Sequence, residues 1–272
     1  MSETPPVSPP VRDRDGFYQY YAEESLSEAT LERFESTRAM VMRVLAMLGR
    51  SAAGLRVADI GCGAGTQCRI WARDGHTVFG CDVNEGLIEL AQQRATEEGL
   101  ADTTRFRLAS AESLPLDDGS VDVCLLPELL EHVVDWERCL DECARIVRPG
   151  GLLFLSTTNK LCPVQQEFDL PLYSWYPAPL KRHYEKLSTT TRPELVNHAT
   201  YPAIHWFSFY GLRRELQKRG FDRCLDRFDC IDTSARGAAA RSIVGAVRAL
   251  PPLRLLAQMC TPYTALMAIR AE

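Results

Sequence analysis

Excess positive charge is absent from this 272-residue chain: 31 lysines and arginines stand against 36 aspartates and glutamates, a net charge of −5. That balance excludes the broad cationic surface by which a protein coats nucleic acid, and no nucleic-acid partner is expected. Long apolar runs are absent too; no uninterrupted stretch reaches the roughly 18 residues of a membrane span. The first ten residues carry prolines and an acid, where a secretory signal would have a basic segment followed by an apolar one, so a cytoplasmic protein is expected. None of the ten cysteines forms a CxxC pair. Most fall in periodic segments, where they read as small buried apolar residues of a reducing compartment and not as a disulfide scaffold. What remains, 46% hydrophobic and 25% charged residues, is the composition of a globular domain with a sizeable core.

Residues 1–14, rich in proline, serine and charge, read as a disordered tail. Leu31, Phe34, Arg38, Val41, Leu45 and Leu48 then recur three or four apart, so 15–54 reads as an N-terminal helical cap, one short and one long helix closed at Gly49. Residues 55–272 read as the main domain. Strands are expected at 56–60, 77–82, 105–109, 121–126 and 152–157, with helices at 66–74, 85–98 and 136–147. Short apolar strands separated by amphipathic helices predict an α/β fold, a doubly wound, mostly parallel sheet covered on both faces. The alternation stops at Asn159. Residues 159–207, dense in proline and aromatics without a clear period, read as an inserted lid. A helix is expected at 208–219, then strand-like runs at 223–231 and 264–270.

The sharpest signal is Val57-Ala58-Asp59-Ile60-Gly61-Cys62-Gly63-Ala64-Gly65, a strand running into a glycine-rich turn and a helix. Glycines remove Cβ atoms where the backbone turns tightly and a ligand lies against the main chain. A dinucleotide site needs GxGxxG, with its pyrophosphate on the helix N-terminus. Here the third glycine comes one place early. Asp59, two before the first, would repel a pyrophosphate yet suits a ligand bearing an ammonium group. Asp82, at the tip of the second strand beside Val83, is placed to take both hydroxyls of a ribose, because a carboxylate is acceptor-only and can be bidentate. After the third strand, Ala111-Glu112 offers a polar pair for an adenine edge. An amine, a ribose and an adenine without a pyrophosphate point to S-adenosylmethionine, with Cys62 in the turn and Pro127 at the fourth strand tip completing the expected cofactor contacts.

The spacing of these residues, from about Val57 to Asn159, resembles the class I methyltransferase superfamily. Pro127-Glu128-Leu129-Leu130-Glu131-His132-Val133 and Arg148-Pro149-Gly150-Gly151 are similar to segments of the ubiquinone-biosynthesis O-methyltransferases. The resemblance implies a seven-stranded sheet whose last strand is antiparallel. It also makes Arg38 the residue most similar in placement to an arginine holding the cofactor carboxylate, a solvated helix face being the alternative. On a helix, Glu128, Glu131 and His132 would share one side. Three readings of them stand open: His132 as general base, a divalent cation on all three, as the quinone-pathway resemblance implies for its members, or a structural turn. Pro127 departs from the pattern expected of ring methyltransferases.

In the lid, His183, His198 and His205 accompany Tyr173, Trp175, Tyr176, Tyr184 and Tyr201. Aromatic walls suit a planar ring or an isoprenoid-like chain, with Tyr18, Tyr20 and Tyr21 joining them; a satellite core is the alternative. His205, just before the 208–219 helix, is the second candidate base. Residues 234–260 hold Arg236, Arg241, Arg248 and Arg254, no acid, and an apolar set broken by Pro251-Pro252. They read either as a helix pair docked on the sheet edge or as a basic amphipathic contact with a membrane surface. The expectation is methylation of a hydroxyl on a small phenolic, quinone-like or natural-product acceptor. A nitrogen, carbon, lipid or sugar acceptor is the alternative, and a non-catalytic S-adenosylmethionine-binding module the one from another class.

Overall fold

The computed structural model describes residues 17–196, 203–234 and 236–272. The tail expected at 1–14, together with His198 and Tyr201, lies outside the described residues, as do the side chains of Tyr20 and Tyr21. Two helices open the described chain, α1 (Phe17–Glu24) and α2 (Glu28–Met47). Then follow β1 (Arg56–Ile60), α3 (Thr66–Arg73), β2 (Thr77–Asp82), α4 (Glu85–Glu97), β3 (Thr104–Leu108) and β4 (Val121–Pro127). Next come α5 (Trp136–Ile146), β5 (Val147–Thr158), α6 (Ala178–Thr190), α7 (Phe209–Lys218) and β6 (Phe221–Asp226). The chain closes with α8 (Ala238–Ala249), α9 (Pro251–Met259) and β7 (Tyr263–Arg270).

The helices start where side chains satisfy the first free backbone N–H groups. Ser27, Asn84, Asp135 and Ser208 each accept a bond from the third residue on, a cap worth about 1 kcal/mol apiece. The seven strands lie in the order β3-β2-β1-β4-β5-β7-β6. The first five are parallel, and β7 runs antiparallel to both β5 and β6. This is the doubly wound, mostly parallel sheet that the alternation predicts. Both faces are covered by apolar side chains. On one, Val41 and Val44 of α2 and Trp71 of α3 pack against Val57 and Leu152; on the other, Leu140 and Cys143 of α5 and Leu212 and Leu216 of α7 pack against Cys124 and Leu153. Eight of the ten cysteines are buried and all are free thiols, so they serve as small apolar residues.

Four elements depart from expectation. β5 starts at Val147, directly after α5, and Arg148-Pro149-Gly150-Gly151 is a bulge within it, where the register against β4 jumps between Val121 and Val123. β6 stops at Asp226, because that carboxylate accepts the N–H groups of Phe228 and Asp229 and turns the chain. The aperiodic stretch after Asn159 contains the thirteen-residue α6, which buries only Ser188 and so has no apolar stripe to read. Residues 128–135 form turns, not a helix. No described helix is long and apolar enough to cross a membrane.

Candidate functional site

Parallel strands with helices on both faces leave a crevice at their carboxyl ends, and the glycine turn sits there. Gly61, Gly63 and Gly65 all have positive φ, 75°, 50° and 72°, a region that costs other residues about 1–2 kcal/mol. Each also answers to a different neighbour. A Cβ on Gly65 would lie 2.8 Å from the Ala91 side chain and 2.9 Å from Phe106, and one on Gly61 3.0 Å from Leu129. Above Gly63 nothing lies within 4 Å of that point. Gly65 therefore lets α3 and α4 close on β3, Gly61 lets the β4 turn approach, and Gly63 leaves room for a ligand against bare backbone.

Asp82 is fixed from two sides: the Gly63 N–H donates to its Oδ2 at 3.0 Å and the Asn84 N–H to its Oδ1 at 2.9 Å. Burial raises its carboxyl above the usual range, and these backbone bonds pull the other way. A carboxylate has about four lone-pair sites, so two remain for hydroxyls. Val83 beside it is exposed and Cys62 in the turn is buried. Asp59 is placed otherwise than expected. It is 1% exposed, beneath the turn, and accepts from Gln67 Nε2 at 3.2 Å and from the Cys68 thiol at 3.3 Å. Burial pushes it up to about 7. It braces the turn from below and offers no charge at the surface. Glu112 beside buried Ala111 spends Oε1 on the Asp135 N–H at 3.0 Å, tying the β3 tip to the start of α5.

Arg38 is corrected outright. Its guanidinium pairs with Glu35 and with Asp74, which ends α3 at the end opposite Gly65. Arg33, which nothing in the sequence separated from its neighbours, instead reaches the β4 tip and pairs with Glu128.

At that tip the helical spacing assumed for Glu128, Glu131 and His132 fails. Pro127 is the last residue of β4, the Glu128 N–H bonds to the Ser156 carbonyl of β5 at 2.8 Å, and Glu128 takes a left-handed φ of 50°. The turn scatters the three side chains. Glu131 points inward, 1% exposed, accepting from Thr157 Oγ1 at 2.7 Å, and burial pushes it up to about 8. Glu128 faces Arg33. His132, half-buried, lies close enough to Glu167 of the 159–207 segment for its charge to lower that carboxyl, which burial raises to about 7 and the charges of Glu131 and Glu128 raise further. Among the described residues no group of three or more histidines, cysteines, aspartates and glutamates could hold a metal ion, so Glu128, Glu131 and His132 do not form the joint site that helical spacing would give.

Glu167 is the residue that sequence reasoning missed. The Gln165 side chain accepts from the Glu167 and Phe168 N–H groups, both at 2.8 Å, so its backbone is held. Tyr263, whose hydroxyl donates to Gln166 at 2.8 Å, lies near the same acids: the charges of Glu128, Glu167 and Glu131 raise its phenol further than burial alone does. An acid two residues after a glutamine in a proline-rich stretch carries no sequence signal. His205 adjoins the end of that turn, its N–H bonded to the Glu131 carbonyl at 3.2 Å. Its Nε2 meets the Val134 carbonyl at 3.3 Å, and its ring lines a cavity of about 270 Å³ with Trp136, Lys160, Trp206 and Phe207. No residue of the glycine turn or of 128–132 borders that cavity. The expected lid aromatics pack largely on one another: Tyr173 stacks on Phe168 at 4.0 Å and meets Tyr176 and Trp206.

Residues 58–155 match the protein family described as a methyltransferase domain. The ubiquinone biosynthesis O-methyltransferase of Chelativorans sp. (strain BNC1) is 39% identical over 107 residues, 39% of this chain and 42% of that one. That of Brucella anthropi is 37% identical over 147 residues, 52% of this chain and 56% of the relative. The chain thus spans about half the length of the curated relatives it matches. Geranyl diphosphate C-methyltransferase from Streptomyces coelicolor A3(2) was solved with Mg2+, geranyl diphosphate and S-adenosyl-L-homocysteine. It shares the fold at a TM-score of 0.53 and 17% identity, over 95% of this chain and 85% of that one. Residues 58–155 are thus similar to a methyltransferase domain, and the seven-stranded sheet around them has the fold of that solved methyltransferase.

Proposed function

We propose that this chain is an S-adenosylmethionine-dependent methyltransferase acting on a hydroxyl of a small, quinone-like organic acceptor. The observation that carries the reading is the pairing of open backbone above Gly63 with an Asp82 carboxylate already held by that same backbone. The cradle fits a nucleoside without a diphosphate: its acid is where hydroxyls would be met, and Val83 and Ala111 supply apolar cover. The acceptor class follows the printed name of the relatives, ubiquinone biosynthesis O-methyltransferase.

The cofactor, when bound, supplies a methyl group activated on a sulfonium, so the protein's work is alignment. Asp82 orients the nucleoside through its remaining lone pairs. His132 takes the proton of the acceptor hydroxyl on its ring, and the Glu167 carboxylate facing it stabilises the resulting imidazolium. Glu131, Thr157 and the Arg33–Glu128 pair hold the turn that presents His132.

Calorimetry with S-adenosylmethionine and its demethylated product tests the cofactor. Saturable binding is expected, weakened roughly tenfold to a hundredfold by Asp82→Ala, the loss of two bonds to a charged acceptor. Folded protein that binds neither compound removes the reading. A labelled methyl donor offered with catechols, phenols and amines then separates oxygen from nitrogen transfer.

A further inference from the structure

A second cavity, about 390 Å³, lies between the outer face of α2 and the loop joining β6 to α8. Its walls are Ser36, Ala39, Met40 and Arg43 from α2, with Arg227, Cys230, Ile231, Asp232 and Arg236 from the loop. None of these belongs to the glycine turn, the β2 tip or the β4 turn. Three arginines thus face a single carboxylate in a protein that is acidic as a whole.

The acids nearby are already committed. Asp226, next to Arg227, spends Oδ1 on the Phe228 and Asp229 N–H groups and Oδ2 on Arg254 and Gln258. Asp232 accepts from the N–H and hydroxyl of Ser234 at 2.8 and 2.7 Å, and its other oxygen stands 4.0 Å from Arg43. Arg43 donates to the Cys230 carbonyl at 2.6 Å and Arg236 to the Asp232 carbonyl at 2.9 Å, which places both guanidinium groups. Arg227, half-buried, makes no hydrogen bond or ion pair among the described residues; burial lowers its pKa, opposed only by the charge of Asp226. Its guanidinium is thus free to take a ligand, and a guanidinium is a planar fork matched to phosphate oxygens.

We propose that this cavity binds a phosphate monoester or diphosphate group, with Arg227 as its central ligand and Arg43 and Arg236 flanking it. The volume falls within the range of small-ligand pockets and leaves room for more than a bare ion. The same phosphate chemistry occurs in a soluble ester and in a lipid headgroup. The exposed Ile243 of α8, Leu250 at the junction, and Leu253, Leu255 and Leu256 of α9 lie on the helix pair that follows the loop.

The test is calorimetry with inorganic pyrophosphate at low ionic strength, run beside co-sedimentation with phosphatidylcholine vesicles with and without phosphatidic acid. Wild type, Arg227→Gln and Arg43→Gln are compared after urea unfolding shows each variant folded. Saturable binding weakened about tenfold or more by Arg227→Gln is expected in one arm or both. Pyrophosphate binding alone identifies a soluble ester; Arg227-dependent preference for phosphatidic acid identifies a headgroup. Binding in neither arm, or binding that Arg227→Gln leaves unchanged, overturns the proposal.

Discussion

The two halves of the crevice are held together over very different distances along the chain. On the β1–β2 side, Gly63 and Asp82 are 19 residues apart, Gln67 and Asp59 only 8, and the bonds run through backbone or one helical turn. On the β4–β5 side the partners are remote: Arg33 and Glu128 are 95 residues apart, Gln166 and Tyr263 97, Asn159 and the Gln258 carbonyl 99. A site closed by local bonds needs only its own segment to be folded. One closed by distant side chains exists only when helix, lid and last strand are all in place. The first half can stay constant while the second is rebuilt around other acceptors.

The sharpest way to break that contrast is His132→Asn. If the acceptor half alone carries the proton, turnover should fall about 10²–10⁴-fold while S-adenosylmethionine affinity, read by calorimetry, stays at the wild-type value. A parallel loss of affinity would show the halves to be one unit. Next in size is Arg254→Ala. Its partner Asp226 is fully buried, and stranding a buried carboxylate costs about 3–5 kcal/mol. Urea unfolding should record that loss, since α9 and the β6 end are held through this pair.

Within the cofactor half, Gly65→Ala and Gly63→Ala should part company. At Gly65 the new Cβ meets Ala91 and Phe106, so a loss of about 1–3 kcal/mol in unfolding free energy is expected. At Gly63 nothing obstructs it, and the cost in stability should be about 1 kcal/mol with the larger effect on cofactor affinity. The subtlest prediction is a slope. Burial raises Glu131 from 4.5 to about 8, so the folded chain retains a proton that the unfolded chain gives up. Its contribution to stability is complete below about pH 4.5 and fades as pH climbs to about 8. Glu131→Gln, which can still accept from Thr157, should make stability less dependent on pH between about 5 and 8. Asp59 and Glu167, both raised to about 7, act with the same sign, so part of the slope should survive. An unchanged slope would mean Glu131 is ionised in the fold.

What the sequence made legible follows the same division. The strands, the glycine turn and the place of Asp82 were readable because period and spacing are properties of one short segment. Asp59 was readable as an acid before the turn, but not as a buried one, since Gln67 and Cys68 on the next helix decide that. Glu128, Glu131 and His132 looked helical because spacing cannot reveal that β5 takes the Glu128 N–H. Arg33 and Arg38 sit five residues apart on one helix, and how far α2 slides along the sheet decides which of them meets the crevice. Glu167 comes to His132 through a loop without periodic signal.

The contact between Leu129 and Gly61 has a consequence of its own. The leucine side chain occupies the space a Cβ at position 61 would need, so the segment proposed to meet the acceptor leans on the segment proposed to meet the methyl donor. Any shift of one strand-to-helix turn is felt as a steric push by the other, and a bulkier residue at either place would have to be answered by trimming its counterpart. Mutational tolerance at 61 and 129 should accordingly be correlated, a linkage detectable by scanning both positions together.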